Sequence, residues 1–153
     1  MGHFDFFDQN SYELNKKSKR GVLIIHGFSS STYETLPLGQ FLADKGFRVS
    51  VPNLPEHGTT VEDCNATRYS EWLNFVEERL AELSTECDEL YVIGLSMGAV
   101  LSLYLASLFP ITKIVACATV LNFRTPFVVN YIIPVIHRII VKQKKVKKFS
   151  KSP

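Results

Sequence analysis

Short apolar runs alternate with amphipathic stretches along most of the chain. Gly21-Val22-Leu23-Ile24-Ile25-His26-Gly27 is apolar, rich in β-branched residues and closed by glycine, the pattern of a strand buried on both faces. A helix is expected over about residues 35–45, with Leu38, Phe41 and Leu42 on one face and Gly46 at C′. Residues 47–52 read as a second strand, and 53–68 as a polar, turn-rich segment. Trp72, Val76, Leu80 and Leu83 then recur at helical spacing within residues 70–85, while Glu71, Glu77, Glu78 and Glu82 fall on the opposite side. Residues 90–94 form a third apolar run. Residues 97–109 are apolar almost all round, which predicts a buried helix stopped at Pro110, and 113–118 a fourth strand. The first twenty residues are polar with a few aromatics. Strands alternating with helices imply an α/β fold: about four parallel strands with helices on both faces.

A chain of 153 residues suffices for one domain, and 46% hydrophobic with 21% charged residues is ordinary globular composition. Charge is distributed unevenly. All 15 acidic residues lie at or before Glu89, so residues 1–137 carry 10 basic groups against 15 acidic, and seven basic residues follow from Arg138 onward. The lysine-rich tail lacks any stacking or groove-reading motif, so no nucleic-acid partner is expected. Cys64, Cys87 and Cys117 have no metal-ligand spacing, and their odd number suits a reducing compartment. The start, MGHFDFFDQN, has neither a basic n-region nor an apolar h-region. A cytoplasmic protein is expected.

Gly94-Leu95-Ser96-Met97-Gly98 is a G-x-S-x-G sequence set between a buried strand and a buried helix, the context a nucleophile elbow requires. Small residues at Gly94 and Gly98 let strand and helix approach, and Ser96 projects its hydroxyl above the sheet. The bland alternative is a turn in which Ser96 merely caps the helix. His26-Gly27-Phe28 ends the first strand. An acyl-transfer site needs two N–H donors aimed at the developing oxyanion, and Phe28 and Met97 are the candidates. His26 reads as an orienting, hydrogen-bonded histidine rather than a general base, and His57 as a brace for nearby loops. A nucleotide-binding reading of the same turn fails for want of G-x-G-x-x-G and of a P-loop lysine.

His26 to Phe28, Pro52 to Gly58, Tyr69 to Trp72 and Gly94 to Gly98 together resemble the monoacylglycerol lipase and small carboxylesterase branch of the α/β-hydrolases, a branch that includes lysophospholipase-like and serine-aminopeptidase-like members. The resemblance covers roughly residues 18 to 122. It implies Ser96 as nucleophile, Phe28 and Met97 as oxyanion donors, and hydrolysis of an acylglycerol, lysophospholipid or short-chain ester with no cofactor and no metal. One departure stands at Glu56, where such enzymes have the first glycine of Gly-His-Gly.

The fold's triad runs Ser, then Asp or Glu, then His. After Ser96 the sequence has no acid, and His137 is its only later histidine. The triad acid and base are therefore unassigned, and the late strands of the fold have no counterpart. The expectation is a truncated α/β-hydrolase: an N-terminal core over 1–122, then the start of a cap region and a basic tail over 123–153. The partner is a small ester or acyl substrate, with room for a homo-oligomer or a second chain supplying the missing half. The alternative is a catalytically incomplete domain acting as a binding or interaction module. Residues 127–141 followed by lysines suit either membrane-surface contact or, preferred here, a cap helix with a frayed end.

Overall fold

The computed structural model describes residues 9–121. The expectations for 123–153, His137 among them, lie outside these residues. The elements are β1 (Tyr12–Leu14), β2 (Arg20–Ile25), α1 (Thr32–Asp44), β3 (Arg48–Val51), α2 (Val61–Ala66), α3 (Tyr69–Glu86), β4 (Glu89–Leu95), α4 (Met97–Leu108) and β5 (Lys113–Cys117). They build one mixed sheet of order β1-β3-β2-β4-β5. β2 to β5 are mutually parallel, as expected. The sequence did not reveal β1, which pairs antiparallel with β3 (Tyr12 opposite Val51) and makes the sheet mixed.

β2 is covered on both faces, which explains why it reads as a continuous apolar run rather than an alternation. Val22 and Ile24 pack with Val49 and Val51 on one face, beside Leu42 and Ala43 of α1. Leu23 and Ile25 face the other way, into a cluster with Trp72, Val76, Leu80 and Leu83 of α3 and Leu101 and Leu105 of α4. The α3 stripe is thus the buried face that its spacing predicts.

Three elements differ from the sequence pattern. α1 begins at Thr32, capped by the Ser31 hydroxyl, which accepts from Tyr33 N–H. Its buried face is Thr32, Thr35, Leu36 and Gly39, while Leu38 and Phe41 are exposed. The helix lies so close to β3 that a Cβ on Gly39 would come within 2.7 Å of Val51 Cγ2, and Phe41 is left outside beneath the Lys45 ammonium, 5.4 Å from the ring centre. The end of α1 does follow the sequence. Gly46 has φ +85°, Gly46 N–H donates to Ala43 O and Phe47 N–H to Leu42 O, a Schellman closure. Second, the polar segment 53–68 contains α2, started by a capping box between Thr60 and Asp63. Third, α4 is not buried all round: Val100, Leu103 and Leu108 are exposed. β5 lies at the sheet edge, with Val115 50% exposed. No helix among the described residues is long and apolar enough to cross a membrane.

Candidate active site

The strand order places a topological switch between β2 and β4. From β2 the chain crosses to β3 on one side, then returns to β4 on the other. Open α/β sheets bind ligands outside the carboxyl ends of their strands at such a switch. The register pairs Ile25 with Gly94, so the loops that leave these two strands side by side are His26-Gly27-Phe28 and Leu95-Ser96-Met97. The structure therefore brings the two sequence motifs together. A Cβ built on Gly27 would lie 3.5 Å from Ser96 Cβ and 3.4 Å from Leu95 O.

Backbone strain gathers at this edge. Among the described residues, five non-glycine positions have positive φ: Asn15, Ser29, Glu56, Ser96 and Ala118. The last four each sit in the loop leaving a parallel strand. Glu56, at φ +57°, occupies a conformation that favours glycine. This gives the departure from Gly-His-Gly a physical cost.

Ser96 joins β4 to α4 with φ +54° and ψ −112°. Its N–H donates to Cys117 O at 2.9 Å and its carbonyl accepts from Ala99 N–H at 3.0 Å, so the turn is pinned from both sides. Its hydroxyl makes no helix-capping hydrogen bond, which sets aside the capping alternative. Gly94 and Gly98 permit the close approach. A Cβ on Gly94 would overlap the Gly98 carbonyl and Ser102 Oγ, and one on Gly98 would lie 2.6 Å from His26 O. Met97 opens α4, where the helix dipole concentrates positive potential. Neither Met97 N–H nor Phe28 N–H donates to any described residue.

His26 is fully buried. Leu54 N–H donates to its Nε2 at 3.0 Å, so the proton resides on Nδ1, which faces Gly27 O at 2.9 Å. With both ring nitrogens engaged, His26 has no lone pair left for general-base work. It instead ties the β2 loop to the β3 loop. His57 is also buried. Its Nδ1 lies 3.0 Å from Pro55 O, which accepts from Trp72 Nε1 at 3.1 Å as well. The His57 ring makes edge contacts with His26 (5.1 Å between centres), Trp72 (5.2 Å) and Phe28 (5.9 Å). Phe28, itself half exposed, is thus held against His57 and Trp72. The sequence hinted at His57 as a brace, but nothing in it pointed to Trp72 as a supporting residue.

Burial lowers the pKa of His26 to about 4 and that of His57 below the ordinary value, because a charged imidazole loses hydration there. For His26, the smaller influence of the Gly27 carbonyl acts in the opposite direction. The contribution to stability is intact above the unfolded-state pKa of about 6.5. It is lost as pH falls from there toward 4, because the unfolded chain takes up a proton that the folded chain refuses. The expected loss from His26 is about 3 kcal/mol. Urea midpoints measured at pH 7.5 and 4.5 check this: His26→Gln should remove most of the difference, and an undiminished difference would contradict the assignment.

Among the described residues, no three His, Cys, Asp or Glu side chains are grouped so as to hold a metal ion.

The family model described as the alpha/beta hydrolase family matches residues 22–143. A thermostable monoacylglycerol lipase of Bacillus sp. (strain H-257) is 41% identical over 90 residues, covering 59% of this chain and 36% of the relative. A carboxylesterase of Bacillus subtilis (strain 168) is 29% identical over 111 residues, covering 72% and 45%. A structure from work on two metagenome-derived lipolytic enzymes, LipS and LipT, superposes with a TM-score of 0.74 at 30% identity, covering 79% of this chain and 50% of that one. The chain thus spans half or less of the length of these relatives. Matched over most of its length by the family model, the chain belongs to the alpha/beta hydrolase family.

Proposed function

We propose that this chain carries the nucleophile and oxyanion hole of a serine hydrolase of carboxylic esters, acting on acylglycerol, lysophospholipid or short-chain esters. The observation that carries the reading is the Ser96 turn. A strained, non-glycine residue tops β4, packed against Gly27, with two backbone N–H groups free of described partners on the adjoining loops. The names of the lipase and esterase relatives point the same way.

In this reading Ser96 Oγ attacks the ester carbonyl carbon, and the N–H groups of Phe28 and Met97 receive the oxyanion. The C–O bond to the alcohol breaks, leaving an acyl-enzyme, and the serine proton passes through a base to the departing alcohol. Water reverses the sequence and releases the acid. The base is not His26, for the reason given above. A second copy or a second chain supplies it. The odd number of cysteines, Cys64, Cys87 and Cys117, suits a cytoplasmic setting.

The test is covalent capture. A fluorophosphonate probe should modify one peptide, containing Ser96, as located by mass spectrometry. Modification elsewhere, or none in a folded sample, would sink the reading. The engagement of both His26 nitrogens favours a second reading, a domain that binds acyl ligands without turnover; ligand-induced change in Trp72 fluorescence without probe capture would support it.

A further inference from the structure

We propose that Glu34 makes this site selective by charge, favouring esters that are neutral around the scissile bond over esters carrying a phosphate or carboxylate there. The inference rests on the serine-ester reading above and narrows its substrate class from mixed esters toward uncharged acylglycerols and simple alkyl esters.

Glu34 occupies the first turn of α1, where an acid suits the helix dipole. The turn directs it back toward the β2 loop. Its Oε2 accepts from Gly27 N–H at a long 3.4 Å and lies 3.7 Å from the point a Gly27 Cβ would occupy. That point is 3.5 Å from Ser96 Cβ. The two legs cap the distance from the carboxylate oxygen to Ser96 Cβ at about 7 Å. Among the described residues no counter-charge pairs with it: the ion pairs there are Arg48–Glu86 and Arg79–Glu82.

A negative charge so close to the nucleophile acts on every ester that approaches. It opposes the developing oxyanion for all of them alike, so this effect cancels when two esters are compared. What does not cancel is its repulsion of charge that the ester itself carries. At about 7 Å near a protein surface, screened by ordinary salt, that repulsion corresponds to about a three- to tenfold preference. The acid product is itself an anion formed at the same place, so the same charge favours its departure.

Two arylboronic acids of matched shape provide the test: 4-carbamoylphenylboronic acid, which is neutral, and 4-carboxyphenylboronic acid, whose extra group is anionic. Boron accepts an Oγ lone pair from Ser96, forming a B–O bond while the hydroxyl proton passes to water. The protein's single tryptophan, Trp72, lies 5.9 Å from Phe28 between ring centres and reports binding by its fluorescence. The wild-type protein should bind the neutral probe about three- to tenfold more tightly, with the ratio shrinking in about 0.5 M sodium chloride. Glu34→Gln keeps an acceptor for Gly27 N–H and should bring the ratio near one. An unchanged ratio in Glu34→Gln, with binding of both probes still dependent on Ser96, overturns this inference alone. If Ser96→Ala binds both probes as the wild type does, or if the folded wild type binds neither, the serine-site reading fails first and this inference with it.

Discussion

Ser96→Gly is expected to abolish ester hydrolysis and covalent capture, a loss of about a thousandfold or more, while raising stability by about 1 kcal/mol. Ser96 is held at φ +54°, ψ −112°, a conformation that costs a residue with a Cβ about 1–3 kcal/mol. Glycine removes that strain and returns part of the gain through its freer unfolded state. No capping bond is lost with the hydroxyl. Ser96→Ala is the informative companion, because it removes the same nucleophile and keeps the Cβ. It should lose activity to the same extent and leave stability nearly unchanged. Urea denaturation of the three proteins, alongside hydrolysis of a p-nitrophenyl ester, measures both halves. Equal stability of all three would show that the turn stores no strain. Retained Ser96-independent hydrolysis would remove Ser96 from the chemistry.

Gly98→Ala should destabilise the fold by about 4 kcal/mol or more, placing it among the rare severe single substitutions. The added methyl would meet backbone rather than a side chain that can swing away. It would lie 2.6 Å from His26 O and 2.8 Å from the carbonyl carbon of Ile25. Relief would require α4 to lift from β2, opening the cluster that contains Leu23, Ile25, Leu101 and Leu105. It would also shift the His26 loop that carries Phe28. Circular dichroism melts should show the loss, and a shift in midpoint of only a degree or two would mean that helix and strand part more easily than this packing allows.

Much of this architecture was legible because its central parallel strands, β2 to β4, are largely buried. Val22 to Ile25 and Leu90 to Ile93 announce themselves as apolar runs, and the α3 stripe from Trp72 to Leu83 announces its inward face. The elements that escaped have other origins. β1 is three residues long, and its Glu13 is matched to Ser50 across the pair, a polar contact that leaves no apolar signature. α2 is stabilised at its start by Thr60 and Asp63 rather than by a buried stripe, so only its capping box could have revealed it. In α1 the hydrophobic spacing misled, because close approach at Gly39 decides the inward face, and glycine carries no hydrophobic signal. At the site, the order of motifs suffices to predict that His26-Gly27-Phe28 and Ser96 are neighbours. The support of Phe28 by Trp72 and the approach of Glu34 to Gly27 depend on helix placement, which sequence spacing does not encode.

The two margins of the sheet differ in kind. One is finished by a short strand running backwards against β3. The other, β5, runs forward beside β4, with Cys117 level with Leu95 and its carbonyl already holding the Ser96 N–H. A strand laid alongside β5 in the same direction would stand about 10 Å from β4, two strand spacings away. Its outgoing loop would emerge on the same rim as Ser96. Extending the sheet and walling the proposed ester site are therefore a single act of construction, whichever polypeptide provides the next strand.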